Sequence, residues 1–381
     1  MGGNAIQNVR RVDAAEYFAL VERVTARLRT ALPGTRLEVI PAYRAKPDFG
    51  DMDILIERNA LPSDWPQRIA AALASREVVP NGPVCSFEFD GFQVDLITAQ
   101  SAWFEFALGY FSWNDLGNLI GRIAHKHGFK FGHDGLHYPL RDGDHLVAEV
   151  LVTQDFAQAL TFLGLNPVRV VEGFDTLEDV FAYVASSAYF DPAQFPLEHR
   201  SHRARTRDAK RPTYTAFLAW VNGRTLPVRE APSREARLAA ASQAFPGFGE
   251  RLTAARAALA RQRAARERFN GRLVSDWTGL RGPALGAFIA QLKRDAGGPE
   301  ALQAKVLEST PEALRDWVET MLRQPAVITS ADEHRATLRE VETLMRDDPA
   351  PGTPAGARLD ALVTQVEDYE RENFPIFGLA P

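Results

Sequence analysis

Apolar residues recur at helical spacing over residues 12–32, where Ala15, Phe18, Val21, Val24, Leu28 and Leu32 form one stripe. Asp13 is placed to cap that helix, and Pro33-Gly34 stops it. The pattern then shortens to alternation. It predicts strands near 35–41, 52–57, 84–90 and 92–98, with a helix around 64–75 between them. Phe87 to Asp95 reads as a hairpin turning at Asp90-Gly91. Helices near 101–109 and 114–127 come next, then short strands near 129–140. Beyond 166 the alternation ends. A helix is predicted from Phe174 to about Ser187, followed by helices near 212–222, 233–244, 248–269, 281–295, 299–308, 311–323, 331–346 and 356–371. The chain therefore reads as α+β over 1–166, a basic helical connector over 167–232 and a helical domain over 233–381.

Composition narrows the class. The 381 residues leave room for two or three domains and a substantial core. The net charge of −5 means that any nucleic-acid contact must come from local patches. One cysteine, Cys85, excludes an intrachain disulfide framework and fits a reducing compartment. No signal peptide or apolar run of transmembrane length is evident. The expectation is a soluble cytoplasmic protein with no membrane partner. There is no Gly-x-Ser-x-Gly elbow, Walker loop or dinucleotide fingerprint. Five histidines fall between 125 and 145, but their spacing fits no closed zinc motif.

Three acids change the picture. Gly50-Asp51-Met52-Asp53-Ile54-Leu55-Ile56 and Phe92-Gln93-Val94-Asp95-Leu96-Ile97 each read as a strand interrupted by carboxylates. Asp51 and Asp53 are two apart and project from one face. Asp95 lies in an apolar run, where an unpaired carboxylate would cost several kcal/mol. If the two strands pair, three carboxylates converge and need a positive partner. Mg²⁺ takes oxygen ligands and leaves positions open for phosphate. Two such ions activate an attacking hydroxyl and stabilise a leaving pyrophosphate. Two Mg²⁺ ions held by Asp51, Asp53 and Asp95 are therefore expected, with Mn²⁺ as a substitute.

At these residues the chain resembles the family X DNA polymerases, the polymerase-β-like branch of the nucleotidyltransferases. Gly50 to Leu55 is similar to that family's first metal motif, and Phe92 to Leu96 to the strand carrying its third metal ligand. Leu108 to Asn118 resembles the Tyr-Phe segment with its following Asp and Asn, and Arg122 stands where the family has an Arg that reaches the template. Lys126 to Phe131 and Gly135 to Tyr138 resemble the small sheet of the thumb, and Val152 to Leu165 the helix that ends it. The similarity covers roughly residues 10–166. It implies a polymerase-β-like palm with a small thumb sheet, without the family's amino-terminal lyase domain. It also implies that Arg44 and Gly50 meet the triphosphate, Tyr110 and Phe111 the sugar, Asp115 and Asn118 the base. The family's phosphate-binding Gly-Ser is here Ile40-Pro41, and Pro41 has neither an N–H nor a hydroxyl.

The densest basic run, His199 to Arg211, contains Arg200, Arg203, Arg205, Arg207, Lys210 and Arg211. Such a strip can neutralise phosphates and release counterions. The expected function is transfer of a nucleoside monophosphate from an NTP or dNTP to a nucleic-acid 3′-hydroxyl, with DNA favoured over RNA. One alternative is an untemplated nucleotidyltransferase that tails RNA or tRNA. Another is a catalytically weak nucleic-acid-binding scaffold, which Pro41 favours.

Overall fold

The structure, a computed structural model, describes residues 5–199, 202–226, 232–324 and 327–374. Backbone packing divides the chain into two compact units, Met1–Ala255 and Arg256–Pro381. Every strand among the described residues lies in the first unit, and the second is built of helices. No described helix is long and apolar enough to cross a membrane.

The first unit opens with β1 (Val12–Asp13), α1 (Ala14–Ala31), β2 (Leu37–Val39), β3 (Asp48–Phe49) and β4 (Asp51–Glu57). It continues through α2 (Trp65–Leu73), β5 (Val78–Asn81), β6 (Val84–Phe89) and β7 (Phe92–Ala99). The Asp13 side chain accepts from the Glu16 amide, so the predicted cap forms. The stripe along α1 is rotated from the predicted one. Val24 and Leu28 are buried as expected, but Tyr17 and Leu20 join them, while Phe18 is 58% exposed. Tyr17 wins because its ring stacks on Phe49 at 3.7 Å, a partner 32 residues away that periodicity cannot see.

Five strands form one sheet in the order β2-β4-β7-β6-β5. β4 and β7 are parallel, and the other neighbouring pairs are antiparallel. Asp90 and Gly91 adopt φ of 52° and 72°, the left-handed pair that a two-residue hairpin needs between β6 and β7. Alternation sorts the side chains. Met52, Ile54, Ile56, Val94 and Leu96 pack with Tyr17, Leu20, Val24 and Leu28 of α1 and Ile69 and Leu73 of α2. On the opposite face Leu55, Ile97 and Ala99 pack with Ile40 and with Phe104 and Ala107 of α3 (Phe104–Phe111). Earlier on those strands, the same alternation gives this second face Asp51, Asp53, Gln93 and Asp95. A one-residue slip of either strand would drive carboxylates into the α1–α2 core, so the register is strongly specified.

α4 (Leu116–Lys126) leads into a separate antiparallel sheet of β8 (Lys130–Gly132), β9 (Gly135–Asp142) and β10 (His145–Thr153). Phe131 of β8 packs against Phe106 of α3 at 5.2 Å between ring centroids. The helices α5 (Phe156–Phe162), α6 (Pro167–Glu172), α7 (Leu177–Ala185), α8 (His202–Ala209), α9 (Pro212–Asn222), α10 (Arg234–Ala244) and α11 (Phe248–Arg268) follow. The division between the units falls within the last of these.

The second unit holds Gly271–Thr278, Gly282–Asp295, Pro299–Glu308, Pro311–Arg323, Ala331–Asp347 and Pro354–Asn373. Its core centres on Val274, Phe288, Leu292, Val318, Leu322 and Leu362. Arg358 is buried there, donating to Glu340 at 3.1 Å and to Gln291 at 2.7 Å. Removing either acceptor would leave an under-satisfied buried cation.

Candidate metal centre

β4 and β7 lie side by side in register, with Asp51 beside Gln93 and Asp53 beside Asp95. Neighbouring strands sit about 4.8 Å apart, so equivalent carboxylates are forced together. One ligand oxygen from each of Asp51, Asp53 and Asp95 lies within 4.8 Å of the others. This group can hold a metal ion, and among the described residues it is the one cluster of three or more His, Cys, Asp or Glu with that geometry.

Electrostatics report the strain of the arrangement. Burial, then the charges of Asp51 and Asp95, push the Asp53 carboxyl up to about 8. Lys46 opposes the rise. Burial also raises Asp95, against hydrogen bonds from Ser86 and Gln93. Gln93 donates from Nε2 to both Asp95 oxygens at 2.9 and 3.0 Å. Its own Oε1 accepts from the amides of Ala5 and Ile6, each at 3.1 Å. That amide is thereby fixed with its NH₂ toward the acid, and Asp95 is aimed from behind. Ser86 stands directly opposite Asp95 across the β6–β7 pairing.

Two cations border the acids on the loop and ribbon leading to β4. β1 pairs with β3, setting Val12 opposite Phe49. Arg11 then reaches Asp48, with Nε donating at 2.7 Å. A Cβ on Gly50 would meet Arg11 Nη1 at 2.7 Å, so the glycine leaves room for that guanidinium beside Asp51. Lys46 Nζ lies 4.4 Å from the centroid of the Phe49 ring. Burial lowers the Lys46 ammonium, and Asp51 and Asp53 act against that fall.

Of the other expected residues, Phe111 packs against the Leu55 and Ile97 face of the sheet that carries the acids. Arg44 donates to Asp175 at 2.6 Å and to the Glu172 carbonyl, so its guanidinium is engaged by the α6–α7 junction. Tyr110 and Phe111 meet edge to face at 5.3 Å, and Phe111 stacks on His133 at 5.8 Å. Burial raises the Tyr110 hydroxyl, with Arg211 and Arg207 opposing and Asp115 adding, which puts those groups in one neighbourhood. Asp115 is ion-paired with Arg211, 96 residues away. Arg211 is also near Asp208, at 3.9 Å. Asn118 Nδ2 and Asn114 Oδ1 are buried without a hydrogen-bond partner among the described residues. Arg122 donates to the Gln194 carbonyl at 3.2 and 2.6 Å.

Within the basic run, Arg205, Arg207 and Lys210 are exposed around α8. Arg207 contacts Asp208 at 3.1 Å. Arg200 lies outside the described residues, and so does the side chain of Arg203. No protein-family model and no curated protein matches the chain.

Proposed function

We propose that this chain is a metal-dependent nucleotidyltransferase with a polymerase-β-like palm, adding nucleoside monophosphates to a nucleic-acid 3′-hydroxyl. The observation that carries the reading is the in-register placement of Asp51 and Asp53 beside Asp95, with ligand oxygens within 4.8 Å. The donors are all carboxylate oxygens, the set that suits Mg²⁺ or Mn²⁺ and disfavours soft metals. The raised Asp53 carboxyl marks charge that a divalent ion would relieve.

Asp51 and Asp53 would hold both ions, and Asp95 would complete the site nearer the attacking hydroxyl. When bound, the ions supply an activated hydroxyl and charge stabilisation on the departing pyrophosphate. Asp95, held by Gln93 and Ser86, would assist loss of the 3′-hydroxyl proton. The apolar floor of Leu55, Ile97 and Phe104 fixes the strands that carry the acids. In this reading the β8–β10 sheet is the thumb, and exposed Arg205, Arg207 and Lys210 meet the nucleic-acid backbone.

A template-independent, RNA-tailing activity is the second reading. Arg122 and Asp115, the residues expected at template and base, are both engaged inside the protein. The test is incubation with Mg²⁺, each labelled NTP or dNTP, and single-stranded, primed or transfer-RNA acceptors. Template-matched dNTP addition supports the polymerase reading, and untemplated NTP addition supports tailing. Absence of any incorporation, with nucleic acid still bound, would refute both and leave a scaffold.

A further inference from the structure

The acids and their ions cannot by themselves receive a nucleotide. Three carboxylates, two divalent ions and a triphosphate together leave a net charge of about −3, which neighbouring cations must offset. Arg44 is spent on Asp175 and the Glu172 carbonyl. Lys46 is different. Among the described residues its Nζ forms no ion pair; it rests on the Phe49 ring at 4.4 Å, and Phe49 is itself stacked on Tyr17 at 3.7 Å. Phe49 is buried and also pairs with Val12 in the β1–β3 ribbon. Phe49 immediately precedes Gly50 and the first acid strand. Asp51, Asp53 and Asp48 all act on the Lys46 charge, and Arg11 repels it. Arg11 is half-spent on Asp48 and lies against Gly50.

We propose that Lys46, with Arg11 beside it, forms the phosphate-binding subsite of the metal centre and takes the triphosphate oxygens of the incoming nucleotide. The inference rests on the nucleotidyltransferase reading. Without a nucleotide, Lys46 partly offsets the acids and competes with divalent ions for them. With a nucleotide, its Nζ turns to the phosphates. An ammonium on a flexible stem, held over a ring rather than locked in an ion pair, is suited to such an exchange. The two states give opposite signs for one substitution. Lys46→Ala removes a repelling charge from the metal site and an attracting charge from the phosphate site.

The test is calorimetric titration of the full chain and of Lys46→Ala, Lys46→Arg and Arg11→Ala. The first titrant is Mg²⁺ alone. The second is each of the four α,β-imido nucleoside triphosphates in saturating Mg²⁺. Lys46→Ala is expected to bind Mg²⁺ alone as well as the parent or better, yet to bind the Mg²⁺–nucleotide about tenfold more weakly. Lys46→Arg restores nucleotide binding, and Arg11→Ala weakens it less than Lys46→Ala does. The inference is overturned if Lys46→Ala binds nucleotide as tightly as the parent, or if it loses Mg²⁺ and nucleotide binding together. If the parent itself binds Mg²⁺ but none of the nucleotides, the nucleotidyltransferase reading has failed, and this inference falls with it.

Discussion

Replacing Asp53 by asparagine should make the metal-free protein more stable, and by an amount that grows with pH. In the folded state burial and two neighbouring carboxylates hold Asp53 at about 8, against an ordinary value of 3.8. Between those values the folded protein keeps a proton that the unfolded chain has released. Unfolding then releases a proton, so stability falls as the pH rises. Taken in full the interval corresponds to about 6 kcal/mol. Asp51 and Asp53 are only partly buried, and solvent screening reduces this to about 2–3 kcal/mol. An asparagine side chain keeps the shape and cannot ionise. The gap between Asp53→Asn and the parent should therefore be near zero at pH 4 and reach about 2–3 kcal/mol by pH 8 with chelator present. The chain divides into two compact units, so the readout should be local to the first. Hydrogen exchange of the β4 and β7 amides serves, since both strands lie in the first unit. Adding Mg²⁺ should protect those amides in the parent and not in Asp53→Asn. A gap that is flat with pH, or a parent more stable than the variant at pH 8 in chelator, would refute the electrostatic account.

The remaining expectations concern individual contacts. Asp95→Ala should remove nucleotide incorporation in the assay above while its circular dichroism and thermal transition stay close to the parent's. Gln93→Leu removes a donor that lowers the Asp95 carboxyl and an acceptor for two amides. It should cost about 1–3 kcal/mol in urea unfolding and move the acidic limb of the pH–activity profile to higher pH. Arg205, Arg207 and Lys210 replaced together by Ala should weaken nucleic-acid binding and reduce its salt dependence by up to about three charges, read from affinity against salt concentration. Gly173→Ala should destabilise the first unit by more than about 1 kcal/mol in hydrogen exchange. Its φ is 81°, and a Cβ would meet Trp113 at 2.6 Å.

How much of this was legible in the sequence depends on how local the cause is. The acid strands and the Asp90-Gly91 turn were readable, because alternation and turn chemistry are properties of a few adjacent residues. Ser86 was within reach too: counting outward from that turn puts it opposite Asp95. Gln93 was equally accessible, two residues before Asp95 on the same face. Lys46 and Arg11 were not. They reach the acids through the two-residue β1–β3 ribbon, which is too short to leave a pattern. Nor could sequence show that Arg44 would be taken by Asp175, or Arg211 by Asp115, since those partners are 131 and 96 residues away. The basic run hid α8, whose residues have no apolar stripe to betray a helix. β10 was missed although Asp142-Gly143-Asp144 is a fair hairpin turn. Its first half is exposed and lacks the alternation that burial on one face imposes, and only Val150 and Val152 in its second half are buried. In the helical unit, by contrast, Pro residues at the first turns mark the helix starts at 299 and 311 where the sequence puts them.

The central claim is that three aspartates cage divalent ions for phosphoryl chemistry. It is tested most directly by anomalous diffraction from crystals soaked with Mn²⁺ and a nonhydrolysable nucleoside triphosphate. The account predicts two Mn²⁺ peaks about 3.5–4 Å apart, both touching Asp51 and Asp53, with Asp95 on one of them and phosphate density on the other. Well-ordered carboxylates with no anomalous peak between them, at saturating Mn²⁺ and nucleotide, would contradict it.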